Sequence, residues 1–98
     1  MTRAQERLGR RIARAIRGIE FAPRLVEGKR CEADLTDGGY GGVPRVEVRH
    51  PDVERDGYLW LVAIVALEPE PRVAYGVPVY REAIERAVER VLAIRSVP

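Results

Sequence analysis

The stretch YLWLVAIVAL, residues 58–67, limits the fold of this chain more than any other segment. Ten residues pass without a charge. The run follows Asp56-Gly57 and ends at Glu68-Pro69, so turn-forming residues bound it on both sides. It predicts a strand. Read with a period of two, one face carries Tyr58, Trp60, Val62, Ile64 and Ala66, and the other Leu59, Leu61, Ala63, Val65 and Leu67. A strand solvated on one side alternates apolar with polar residues. This one is apolar on both sides, so both faces require a cover.

The rest of the chain must supply that cover. The segment VPRVEVRH, residues 43–50, alternates Val46 and Val48 with Glu47 and Arg49, which predicts a half-buried strand. PDVERDG then forms a turn, and RCEADL reads as a further short strand. Two amphipathic helices flank the strands. In the first, over 2–19, Leu8, Ile12, Ala15, Ile16 and Ile19 make one apolar stripe, and Gly18 and Pro23 bracket its end. The second follows the proline-broken EPEPR and a Tyr75-Gly76-Val77 turn. There Tyr80, Ala83, Ile84, Ala87, Val88, Val91 and Leu92 keep helical spacing, with Pro78 in a first-turn position.

These elements predict a single α+β domain over 1–98. A small sheet of two to three mainly antiparallel strands carries an N-terminal and a C-terminal helix on one face. Two helices suffice for the Trp60 face. The opposite face, with Leu59, Leu61, Val65 and Leu67, is then left open, and a second copy of the chain is the expected cover, making the protein a homo-oligomer.

Catalytic vocabulary is sparse. The chain has one cysteine, Cys31, and one histidine, His50, so no internal disulfide, triad or multi-cysteine metal site is expected. Cys31 reads as an inert thiol and His50 as a partly exposed loop residue before Pro51. The acids of DVERDG, Asp52, Glu54 and Asp56, imitate the opening of a calcium loop. The twelfth position, however, is Ala63 inside the strongest strand, so a charged hairpin turn is the expectation. DGGYGG, residues 37–42, lacks the lysine and hydroxyl of a phosphate loop and reads as a connection, with Tyr40 as a conceivable stacking face. Glu82, Glu85 and Glu89, interleaved with Arg81, Arg86 and Arg90, read as a solvated ion-paired helix face. The expectation is therefore a protein that is not an enzyme, with no cofactor and no metal.

Charge points elsewhere. Arg3, Arg7, Arg10, Arg14 and Arg17 recur along the first helix as a second stripe, and residues 1–20 carry six arginines against two glutamates. Such a ridge suits RNA phosphates, an anionic membrane surface or an acidic protein partner, or serves only as a solvated face. The interleaved arginines do not form a secretory signal, and no apolar run reaches membrane-spanning length. A cytoplasmic location is the expectation, with peripheral association with the membrane as the alternative. Sixteen arginines beside one lysine, with no asparagine and one glutamine, suit a GC-rich, thermophilic source.

VPRVEVRH, YLWLVAIVAL and AYGVPVYREAIERAVERVL together resemble the alkaline-shock-protein family of bacterial envelope-stress proteins. In that family a Tyr-Gly-Val turn opens an amphipathic helix, and a helix similar to LGRRIARAIRGIE precedes the strands. EPEPRVA interrupts the match. The resemblance implies a non-enzymatic protein that associates with itself or with envelope partners, and it transfers no catalytic residue. A second, looser resemblance is to ribosome-binding factor A, through the basic first helix, APRL and VEVRHPD. It implies that Arg3, Arg7, Arg10, Arg14 and Arg17 meet ribosomal RNA.

Overall fold

The computed structural model describes residues 1–19, 30–38 and 42–96. Its elements are α1 (Arg3–Arg17), β1 (Glu32–Thr36), β2 (Arg45–Arg55), β3 (Tyr58–Ala66), β4 (Arg72–Gly76) and α2 (Pro78–Ser96). The strands form one antiparallel meander in the order β1-β2-β3-β4, and both helices lie on the same face of it.

Local chemistry sets the helix limits. Thr2 and Gln5 close a reciprocal capping box: the Gln5 amide donates to Thr2 Oγ1 at 3.1 Å and the Thr2 amide to Gln5 Oε1 at 2.8 Å. Gln5 also donates through Nε2 to Glu68, which ties the start of α1 to the loop after β3. Gly18 ends the helix, its amide shared between the Arg14 and Ala15 carbonyls. Ile12 and Ile16 face the sheet and are fully buried, as are Tyr80 and Ile84 of α2. Each such side chain contributes about 1.5–3 kcal/mol by leaving water. Gly9 lets α1 approach closely, because a Cβ there would lie 2.5 Å from Leu35 and 3.1 Å from Leu67.

The sheet has four strands, one more than the sequence reading allowed. The additional one, β4, spans RVAYG, which runs from the end of the EPEPR break into the expected Tyr75-Gly76-Val77 turn. Only Val73 of this edge strand packs against the core, and prolines stand on both sides, so no alternating pattern marks it. RCEADL does form a strand, β1, with Ala33 opposite Val48 and Leu35 opposite Val46. Between β2 and β3, Asp56 and Gly57 both have positive φ (54° and 84°), the backbone of a tight two-residue hairpin.

The register of β3 corrects the largest expectation. Val48 pairs with Ala63 but Arg49 with Leu61, so Val62 is an extra residue in β3, a β-bulge. Past it the alternation inverts. Trp60 and Val62 point toward the helices on one side of the bulge, and Ala63, Val65 and Leu67 do so on the other. Val65 (0 % exposed) and Leu67 (4 %) are therefore core residues packed under the helices. The outer face carries Leu59 and Leu61, then Ile64 and Ala66. The expected interface set is split in half by one residue.

Candidate interaction surfaces

The open side of the sheet has two chemically distinct halves. On β2, Glu47 accepts from Arg45 (Nε to Oε2, 3.0 Å) and from Arg49 (Nη2 to Oε1, 3.0 Å), so one carboxylate holds two guanidiniums across the middle of the strand. Arg49 also donates to the Leu59 carbonyl at 2.7 Å. Glu32 and Asp34 of β1 extend this polar half. On β3 and β4 the same face is mainly apolar: Leu59, Leu61 and Ile64, with Tyr75 paired opposite Ile64, and Arg72 opposite Ala66 at its edge. Tyr75 is 43 % exposed and Tyr58, at the hairpin end, 74 %. Leu59, Leu61, Tyr58 and Tyr75 line a shallow basin whose remaining walls include Arg49 and Arg55.

The helix side carries the basic ridge. Arg3, Arg7, Arg10, Arg14 and Arg17 are all exposed on α1, joined by Arg11. Two of the five are engaged: Arg10 pairs with Glu6 at 2.7 Å, and Arg17 donates to the Ala33 carbonyl at 2.6 Å. Arg3, Arg7 and Arg14 make no ion pair among the described residues. Their spacing keeps them on one side of the helix, opposite the Leu8–Ile12–Ile16 stripe.

His50 was missed by sequence reasoning, which placed it in a partly exposed loop. It is 3 % exposed and lies within β2. Between Arg49, paired with Leu61, and Glu54, paired with Leu59, the residues 50–53 stand opposite Trp60 alone. His50 Nδ1 accepts the amides of Asp52 (3.0 Å) and Val53 (3.1 Å), which this irregularity removes from the ladder. The ring stacks on Trp60 at 6.2 Å, Tyr80 meets both rings edge-on, and the Arg55 guanidinium lies 4.2 Å from the Trp60 ring centroid. The cluster anchors the hairpin to α2. A histidine beside a proline gives no hint of this in sequence.

The remaining candidates fall into structural roles. Glu82 and Glu85 pair with Arg86 (2.6 Å) and Arg81 (3.3 Å) one turn away, giving the expected ion-paired face. Tyr40, and APRL of the second resemblance, lie outside the described residues. Burial pushes the Tyr80 hydroxyl above its ordinary range, and the neighbouring Cys31 adds to the shift. No helix among the described residues is long and apolar enough to cross a membrane. Comparison with protein-family models, curated proteins and solved structures finds no match.

Cys31 is 2 % exposed, and burial raises its thiol from the ordinary 9.0 to about 11. The thiolate is scarce at pH 8, so the folded protein should resist iodoacetamide there and react within minutes once unfolded. The neutral thiol is favoured in the fold, so its stabilising contribution is complete below pH 9 and is lost as the pH rises toward 11. Alkylation of native protein at pH 8 as fast as that of a free thiol would contradict this placement.

Proposed function

We propose that this chain is a non-enzymatic, cytoplasmic interaction protein of the alkaline-shock type, acting by association with copies of itself across the open face of its sheet. The observation that carries the reading is the apolar half of that face. Leu59, Leu61, Ile64 and Tyr75 have no covering element among the described residues, while the other face already holds the core. Apolar surface of this kind, rimmed by polar groups, is the usual anatomy of a protein interface. A second copy offers a matching strip. A two-fold axis across the strands lays β3 on the β3 of the second copy and leaves the Arg45–Glu47–Arg49 ladder at the rim. In that ladder both guanidiniums share the Glu47 carboxylate, and the net positive charge that remains stays at the solvated rim. The family resemblance adds an envelope-associated partner, recruited by the assembled form.

A second reading, an RNA-binding ribosome-assembly factor, is favoured by one observation: Arg3, Arg7 and Arg14 stand exposed on one ridge with no ion-paired carboxylate among the described residues. The ridge lies on the helix side, so it remains accessible when the sheet side is covered.

Sedimentation velocity tests the first reading. The wild-type chain is expected to self-associate, and Leu61→Glu to reduce the mean mass by at least half with an unchanged circular dichroism spectrum. A strictly monomeric wild type, or a mass unaffected by Leu61→Glu, overturns it. Filter binding of structured RNA tests the second. If about five phosphates are neutralised, log K falls by about 4 per tenfold rise in salt. Absence of retention at low salt rules the ridge out as an RNA site.

A further inference from the structure

The outward flank of α2 carries a feature that neither the core nor the sheet face explains. Val79, Ala83, Arg86, Arg90 and Ile94 recur at i, i+4, i+7, i+11 and i+15, which sets them on one stripe. Val79 (58 % exposed) and Ile94 (62 %) are the two most exposed large aliphatic side chains among the described residues. They stand at opposite ends of the stripe, about 22 Å apart at 1.5 Å per residue. Ile94 also borders a groove between α1 and α2 floored by Ala15, Ala83, Ala87 and Val91. Charges on the flank alternate in sign. Glu82 holds Arg86, whereas Glu89 and Arg90 have no ion-pair partner among the described residues.

We propose that this stripe docks on the same stripe of a second copy, antiparallel, about a two-fold axis level with Arg86 and Ala87. The pattern is nearly palindromic about that point. Val79 of each copy then covers Ile94 of the other, and both exposed aliphatic residues leave water together. Ala83 faces Arg90, and the small side chain leaves room for the arginine stem to lie across it. Arg90 comes beside Glu82 of the second copy, and Arg86 beside its Glu89, so the two unpaired charges each gain an opposite neighbour. The two Arg86 guanidiniums meet near the axis, each set between its own Glu82 and Glu89 of the second copy.

Other occupants fit less well. A parallel pairing sets every charge against its own kind. An acidic helix or an anionic lipid would meet Arg86 and Arg90, but also Glu82 and Glu89. This contact does not depend on the sheet face, because the stripe lies on the helix layer. If both operate, two separate two-fold contacts on one molecule build assemblies larger than a dimer.

Cysteine cross-linking in a Cys31→Ala, Leu61→Glu background isolates the helix contact from the sheet contact. Antiparallel docking predicts that Val79→Cys and Ile94→Cys, mixed, form a disulfide heterodimer faster than a collision control at Glu70→Cys. Each alone should not link to itself, since the two-fold holds equivalent residues about 22 Å apart, beyond disulfide reach. Arg90→Glu should weaken association about tenfold, and Glu82→Arg added to it should restore most of the affinity. Mixed cross-linking no faster than the control, self-linking of Val79→Cys, or failure of the charge swap to restore binding would each overturn the proposal.

Discussion

One extra residue in β3 decides which side chains of the central strand join the core. Val62 has no partner of its own in β2, and at that point the strand turns over. Without the bulge, Trp60, Val62 and Ile64 would share one face while Val65 and Leu67 lay on the other. With it, Trp60, Val62, Ala63, Val65 and Leu67 all join the helix-covered core. At about 1.5–3 kcal/mol per buried aliphatic side chain, moving Val65 and Leu67 inward is a large gain for a chain of 98 residues. It also shrinks the apolar surface left outside to Leu59, Leu61, Ile64 and Tyr75, which makes half the open face polar.

The second irregularity complements the first. Four residues of β2, 50–53, arch past Trp60, and the amides they free are collected by His50. Trp60 is held between His50 and Arg55, and Tyr80 closes the cluster from α2. The hairpin tip is thereby tied to the helix layer, and the basin beside Tyr58 rests on a fixed wall. On the helix side, Gly9 admits Leu35 and Leu67 beneath α1 while its arginines stay in solvent. The molecule presents a basic ridge on one side and a half-apolar sheet on the other.

Legibility in sequence followed periodicity. The helices were readable because their apolar residues recur every three or four positions over many turns, and the arginine ridge for the same reason. Val46 and Val48 marked β2, but not its length: PDVERDG reads as a turn throughout, whereas residues 51–55 continue β2 and only Asp56-Gly57 make the hairpin turn. Two things were hidden. β4 presents a single large core residue, Val73, between two proline-containing segments. The bulge sits inside an unbroken apolar run, where Val62 and Ala63 give no sign that both point inward. In a strand, a slip of one residue exchanges the faces, so of the four residues expected on the open face Leu59 and Leu61 lie there and Val65 and Leu67 lie in the core. Where alternate positions differ in polarity such a slip is visible, and here they do not.

The orientation of β3 after the bulge is the claim on which the surfaces rest, and lysine substitutions at three positions test it directly by chemical denaturation of dilute protein. Ile64→Lys places an ammonium on the open face opposite Glu47 and is expected to change stability by less than about 1 kcal/mol. Val62→Lys and Val65→Lys each bury an unpaired charge in the core and are expected to prevent folding. Loss of the fold on Ile64→Lys together with tolerance of Val65→Lys would restore the strict alternation of the sequence and contradict the account.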